Sequence, residues 1–451
     1  MNRRTFLSLL GLAAFLVAKG FASAAPRAEH VVLISIDGLR PELYLDPPAH
    51  GMRLATLQGM MARGSFAERV VGVYPSVTYP SHTTMVTGVR PSRHGIVSNV
   101  LFDPRGLFQL WYWQASGIRV RTLWDAVKAS GGTSAAVSWP VTVGAPIDFN
   151  FPEYEKPGSD EPPRQVVTEV SKPEFIAELE RELGPLTPER FGGEPRDSLT
   201  FDAAKYLFRK YRPSLLLLHV YNTDSVEHDH GREHPAVSAA FEGTDRKLGG
   251  LFSAIQATGL AERTLVVVAG DHGFADNHST INPNVAFREA GLLRVGADGS
   301  VADWQALTWP SGGSAAVMAK DSRGAEAAEK LVERLLAGPL GSAMRKVSRS
   351  ELDRLGAMPN ALFALEASDG YHFGSALAGP LLAPSPERGY HGYLPGWEKM
   401  ATGFLMVGPG VRAGVRVPIM QQADIAPTIA ALAGWELPEA EGLVLRGLFE
   451  N

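Results

Sequence analysis

The chain has no cysteine in 451 residues. That absence excludes disulfides, thiolate zinc ligands, a cysteine nucleophile and a lipoprotein anchor. Long apolar runs are scarce too. The N-terminal one, roughly 7–17, is shorter than the about 20 residues that a membrane-spanning helix needs. Positive charge is nowhere concentrated: 43 Lys and Arg against 48 Asp and Glu give a net charge of −5, with no basic tail or stripe. A stable nucleic-acid partner is therefore not expected, while a nucleotide as a small substrate stays open. Internal repeats and coiled-coil heptads are also missing. What remains is an ordinary globular balance, 45% hydrophobic and 20% charged, in a chain long enough for a large core.

Residues 1–25 read as a twin-arginine signal peptide. Arg3-Arg4 precedes Thr5-Phe6-Leu7 and the short apolar stretch, and Ala22-Ser23-Ala24 supplies a small-residue cleavage site. The expectation is export to the periplasm, no membrane anchor after cleavage, and a catalytic domain over 26–451.

The mature part alternates strand and helix signals. Strands are expected at 30–36, 133–138, 214–221, 264–269 and 403–407, and helices at 122–129, 199–211, 236–257, 325–336 and 423–433. The pattern predicts an α/β fold: a doubly wound, mostly parallel sheet with helices on both faces. A segment within about 281–390 reads as an insertion or cap beside the site. Residues 141–195, rich in Pro, Glu and Gly, read as a long loop excursion.

Three apolar runs end in groups that bind metals. Val31 to Ile36 leads to Asp37-Gly38, Leu215 to Tyr221 leads to Asp224 and His228, and Leu265 to Val268 leads to Asp271-His272. Ligands in open α/β sheets collect at the carboxyl ends of strands. Mixed carboxylate and imidazole donors suit zinc or a similar first-row metal. With Thr78 and His391, these side chains are competent for two metal sites about 3.5–4 Å apart. Thr78 precedes Pro80 by two positions, which predicts a helix start there. A helix N-terminus favours an alkoxide or a phosphate oxygen, and metal coordination activates a weak hydroxyl nucleophile. His82, His94, His234, His278 and His372 read as packing, capping or surface groups. His230 is a candidate supporting group for the metal ligands.

In this order the motifs resemble the alkaline phosphatase superfamily, and more narrowly the nucleotide pyrophosphatase/phosphodiesterases (type I phosphodiesterases). The resemblance rests on Ile36-Asp37-Gly38, on the segment from Tyr74 through Thr78 to His82, and on Val86-Thr87-Gly88 with Arg93-His94-Gly95. It continues through Asn99, Asp224 with His228, Gly270-Asp271-His272-Gly273, His391-Gly392, Gly408-Pro409-Gly410 and Asp424 to Ile429. It spans nearly all of the mature chain. It implies two Zn²⁺ ions, one held by Asp37, Thr78, Asp271 and His272, the other by Asp224, His228 and His391. It also implies Thr78 as nucleophile through a phosphothreonine intermediate, and Asn99 as donor to a phosphate oxygen. One departure is Glu227, where many relatives have glycine.

The expected substrate is a small phosphodiester or pyrophosphate. The stretch from Ser138 to Gly144 follows a strand end and carries no basic residue to meet a monoester dianion, which favours a diester. Tyr79, Trp139 and Tyr221 are the expected apolar surface for a substrate group. Competing readings are a phosphonoacetate hydrolase or phosphomonoesterase with the same ligands, and a non-catalytic metal-binding protein. A sulfatase is disfavoured, since no Cys or Ser stands in the required context at the nucleophile position.

Overall fold

The computed structural model describes residues 28–105, 110–338 and 340–449; the signal-peptide reading at 1–25 falls outside them. Eight strands form the central sheet: β1 (His30–Ile36), β2 (Ser65–Ala67), β3 (Ser134–Val137), β4 (Phe149–Phe151), β5 (Leu215–Val220), β6 (Thr264–Ala269), β7 (Phe404–Val407) and β8 (Val415–Val417). Their order is β8-β2-β7-β6-β1-β5-β3-β4. The run β6-β1-β5-β3-β4 is parallel, and β7 pairs antiparallel with β6 and β2.

The central strands are continuous apolar runs because both faces are covered. Val32, Ile34 and Ile36 of β1 enter a core shared with helices Ala55–Arg63, Gly193–Tyr211 and Pro235–Ala257. Val31 and Leu33 point the other way, toward helices Thr78–Thr87, Leu123–Ala129 and Ile425–Ala433. This is the doubly wound α/β architecture expected from the alternation of elements.

The segment after β6 builds a second layer with its own core. Strands Ala306–Ser311, Ser314–Ala319, Phe363–Ala367 and Met344–Val347 make an antiparallel sheet in that order. Phe287, Val317, Leu352 and Phe363 pack there, together with Tyr74 and Tyr393. Buried Glu366 ties this layer to the rest: it accepts from the Tyr74 hydroxyl (3.0 Å) and the Leu394 amide (2.7 Å). Burial pushes its carboxyl from the ordinary 4.5 up to about 8. The folded state then holds this proton more tightly than the unfolded chain, so the group makes stability fall as pH rises from about 4.5 to about 8. Glu366→Gln should flatten that fall. Melting temperatures across this pH range check it, and an unchanged slope would refute the assignment.

One expectation is corrected. Residues 141–195 are not a plain loop: they hold β4 and helices Pro163–Val170 and Pro173–Leu183. The prolines that suggested a loop sit at the first turn of each helix, where a missing N–H costs nothing. Phe175, Ile176 and Leu179 recur at helical spacing and are buried against the first core.

Candidate active site

Strands β6, β1 and β5 are neighbours, so the residues that follow them converge at one edge of the sheet. Asp37 follows β1, Asp224 follows β5, and Asp271-His272 follow β6. His228 arrives on the helix Asn222–His230, one turn after Asp224 and on the same face. Its polar run reads as a solvated loop in the sequence; folded as a helix, it aims both side chains at one place. The Thr223 hydroxyl donates to the Asp37 carbonyl (2.6 Å) and locks this helix to the end of β1. His391 comes from the returning end of the inserted layer, just after Gly389–Tyr390 pairs with Ala275–Ile281.

Two groups of donors result. His228 Nε2 and His391 Nε2 each lie 3.5 Å from Asp224 Oδ1. His272 Nε2 lies 3.2 Å from Asp37 Oδ1, 3.4 Å from Asp271 Oδ2 and 3.4 Å from Thr78 Oγ1. The groups adjoin, since donor atoms of Asp37, Asp224 and His272 all lie within 4.8 Å of one another.

The side chains fit metal ions on two counts. First, each imidazole has Nδ1 against a carbonyl: His228 on Gly389 (3.0 Å), His272 on Gly273 (3.2 Å) and His391 on Ser76 (3.2 Å). Nδ1–H donates outward, and the Nε2 lone pair turns inward, as metal-ligating histidines are held. Second, Asp37 Oδ1, Asp224 Oδ1 and Asp271 Oδ2 are buried and accept no hydrogen bond. Burial, and then the neighbouring Asp271 charge, hold the Asp37 carboxyl well above its ordinary range; burial also raises Asp224. Carboxylates crowded in this way call for a cation, and the nitrogen and oxygen donor set matches zinc.

Thr78 is the first residue of its helix, with Val77 as the extended cap. Asn99 Oδ1 accepts from the Tyr79 amide (2.9 Å), which leaves its NH2 group to donate elsewhere. Thr78, Asn99, Asp224, His228 and His391 border a cavity of about 690 Å³. Its aromatic walls are Phe102, Trp111, Trp309 and Tyr390.

The expected aromatic surface is corrected here. Tyr79 is buried, its hydroxyl donating to Glu153 (3.2 Å) and its ring edge-on to Trp111 and Trp113. Trp139 is fully buried, edge-on to His82. The Tyr221 hydroxyl accepts from the Gly193 amide, and Arg196 covers its ring. None of the three borders the cavity. Rings beside buried strand ends were taken up by the core, and the walls come from residues 100–105, from Trp111 and from the inserted layer. Residues 138–144 also lie off the cavity, so their lack of a cation has no bearing on substrate. The cavity lining itself carries that argument, with Arg105 as its one lysine or arginine among the described residues.

His219 was passed over, and His82, read as a packing or capping group, stands beside it. His82 Nδ1 donates to the Thr78 carbonyl (2.8 Å), and its ring packs 4.3 Å from that of His219. His219 Nε2 donates to Asp37 Oδ2 (3.0 Å). A lone imidazole inside the apolar strand Leu215–Val220 was the available signal. His230 stacks on His234 instead of supporting a ligand, and His372 stacks on Tyr390 at the cavity wall.

Residues 31–399 match the family model described as type I phosphodiesterase/nucleotide pyrophosphatase. Human ectonucleotide pyrophosphatase/phosphodiesterase family member 5 is 25% identical over 262 residues, 56% of this chain and 46% of that protein. Ectonucleotide pyrophosphatase/phosphodiesterase 1 of Saccharomyces cerevisiae is 27% identical over 267 residues, 54% of this chain and 34% of that protein. The chain thus aligns with less than half the length of these curated relatives. Among solved structures, murine ectonucleotide pyrophosphatase/phosphodiesterase 5 superposes with a TM-score of 0.66 at 18% identity, covering 93% of this chain and 100% of that one. An inactive threonine-to-alanine variant of the murine protein, in complex with AMP, gives 0.65 at 20% identity, covering 94% of this chain and 100% of that one. With the family model spanning most of its length, the chain belongs to the type I phosphodiesterase/nucleotide pyrophosphatase family.

Proposed function

We propose that the protein hydrolyses phosphodiester or pyrophosphate bonds in small, nucleotide-type substrates, with Thr78 as nucleophile. The observation that carries this reading is the place of Thr78. Its hydroxyl stands at a helix start, 3.4 Å from His272 Nε2, at the floor of the cavity and beside Asn99. Metal ions held by Asp37, Thr78, Asp271 and His272, and by Asp224, His228 and His391, would supply Lewis-acid charge stabilisation; zinc, two per chain, suits these donors. The murine relative whose threonine-to-alanine variant is inactive and forms a complex with AMP supports a threonine nucleophile and a nucleotide-type ligand.

Thr78 Oγ attacks phosphorus, forming a phosphothreonine as the bond to the leaving oxygen breaks. The proton lost by the hydroxyl leaves with the departing alcohol or phosphate. Water then hydrolyses the phosphothreonine, releasing a monoester and restoring Thr78. The Asn99 NH2 group donates to a non-bridging oxygen, and the N-terminal end of the Thr78–Thr87 helix favours the charge that develops there. Asn99→Ala should lower kcat about 10²–10³-fold, the loss expected for one such donor. A steady-state comparison checks it, and a change confined to KM would remove Asn99 from the reacting centre.

The reading is tested with bis-p-nitrophenyl phosphate, p-nitrophenyl phosphate and phosphonoacetate side by side. Preference for the diester is expected. Preference for the monoester or the phosphonate would move the protein to a phosphomonoesterase or phosphonoacetate hydrolase built on the same ligands.

We also assign the mature chain to the periplasm, on the strength of Arg3-Arg4 and the stretch that follows. Among the described residues no helix is long and apolar enough to cross a membrane. Export that survives Arg3→Lys with Arg4→Lys would argue against the twin-arginine route.

A further inference from the structure

We propose that the cavity selects phosphodiesters whose leaving group carries no further negative charge, and that Glu387 sets this preference; the inference rests on the phosphodiesterase reading above. The lining of the cavity is short of cations. Besides the metal-ligand side chains, its ionised groups are Asp103, Glu387 and Arg105. Arg105 is 71% exposed and stands 3.7 Å from Asp103, so those two charges largely answer each other. Glu387 remains. Its Oε2 lies 3.1 Å from His228 Nδ1 without a hydrogen bond, and no lysine or arginine pairs with it among the described residues.

Glu387 is also held in place. Its amide donates to Ser385 Oγ (3.1 Å), and its carbonyl accepts from Asn277 Nδ2 (3.2 Å). The backbone of the next residue but one, Gly389, takes part in the same hold on His228. The side chain is 39% exposed and borders the cavity, with Oε2 turned inward against His228.

Direction matters next. Thr78 stands with the His272 group of donors. An in-line attack drives the leaving oxygen away from Thr78, toward the Asp224, His228 and His391 group that Glu387 buttresses. An alcohol leaving there meets Tyr390 and His372 and adds no charge. A diphosphate leaving there brings several negative charges toward a carboxylate that no lysine or arginine neutralises. Like charges brought together in this way discriminate against the wrong partner. The reaction itself is unchanged: one bond from phosphorus to the leaving oxygen breaks, and water supplies the hydroxyl and the proton.

The test pairs a nucleoside 5′-monophosphate p-nitrophenyl ester with the 5′-triphosphate of the same nucleoside. Both share one half and differ in the charge of the leaving group. Their kcat/KM values are measured for wild-type and Glu387→Gln protein, with metal content determined in each. Intrinsic reactivity of the two compounds, and any shared effect on His228, cancel in the ratio. The ratio of triphosphate to ester should rise at least about tenfold in Glu387→Gln. In a Thr78→Ala background, calorimetry should show the triphosphate binding more tightly once Glu387→Gln is added, while ester binding stays level. A ratio that stays within about twofold of wild type, with both compounds turned over, overturns the assignment of Glu387 and leaves the phosphodiesterase reading standing. Turnover of neither compound by wild-type protein fells that reading, and this inference with it.

Discussion

Thr78→Ala is expected to lower diester turnover at least about 10³-fold while leaving metal content nearly intact. Three serines near it in sequence are committed elsewhere or buried. Ser76 donates its hydroxyl to the Tyr393 carbonyl (2.8 Å), Ser81 is fully buried, and Ser98 is paired with Ser311 (2.9 Å). Asp37, Asp271 and His272 keep their positions, because Gly38 and His272 amides hold Asp271 Oδ1 and His219 holds Asp37. Alanine is a good helix former, so the start of the Thr78–Thr87 helix should survive. Turnover is followed together with metal analysis of the purified variant. Wild-type turnover would remove Thr78 as nucleophile, and loss of metal would recast it chiefly as a ligand.

The second large effect concerns Glu227, where the resemblance leads one to expect glycine. Its carboxylate is wholly buried, 3.1 Å from Arg40 Nε, and Arg40 itself is only 1% exposed. Arg40 further donates to Glu42 (2.9 Å), Glu233 (3.2 Å) and the Arg232 carbonyl (2.9 Å). This pair joins the loop after Asp37 to the helix that carries Asp224 and His228. Arg40→Met leaves a buried carboxylate without its cation and should destabilise the fold by about 3–5 kcal/mol. Arg40→Met combined with Glu227→Leu removes both charges and should recover most of that loss. Denaturant unfolding of the single and double variants decides it. Equal destabilisation in both would show that packing around Arg40, rather than the charge pair, holds the two segments together.

Much of the candidate donor cluster could be read from the sequence because of how a covered parallel sheet is written. Strands buried on both faces are apolar throughout, so the first polar residue beyond them stands out, as Asp37 and Asp271 do. The spacing of Asp224 and His228 is one helical turn, and the order of the motifs carried the rest. The cavity walls were not legible. Trp111 and Trp309 are far apart in sequence and share one cavity wall only through the tertiary fold. Tyr79 and Trp139 lie beside Thr78 and the β3 end in sequence, yet the core claimed both rings. The helices over 163–183 were hidden by prolines that mark helix starts as readily as loops.

The most direct measurement titrates zinc into chelator-treated protein while bis-p-nitrophenyl phosphate turnover is followed. The account predicts negligible turnover without metal, a rise that saturates near about two equivalents, and the same metal uptake without turnover in Thr78→Ala. Turnover that survives chelation, or that returns in full in the Thr78→Ala protein, would contradict it.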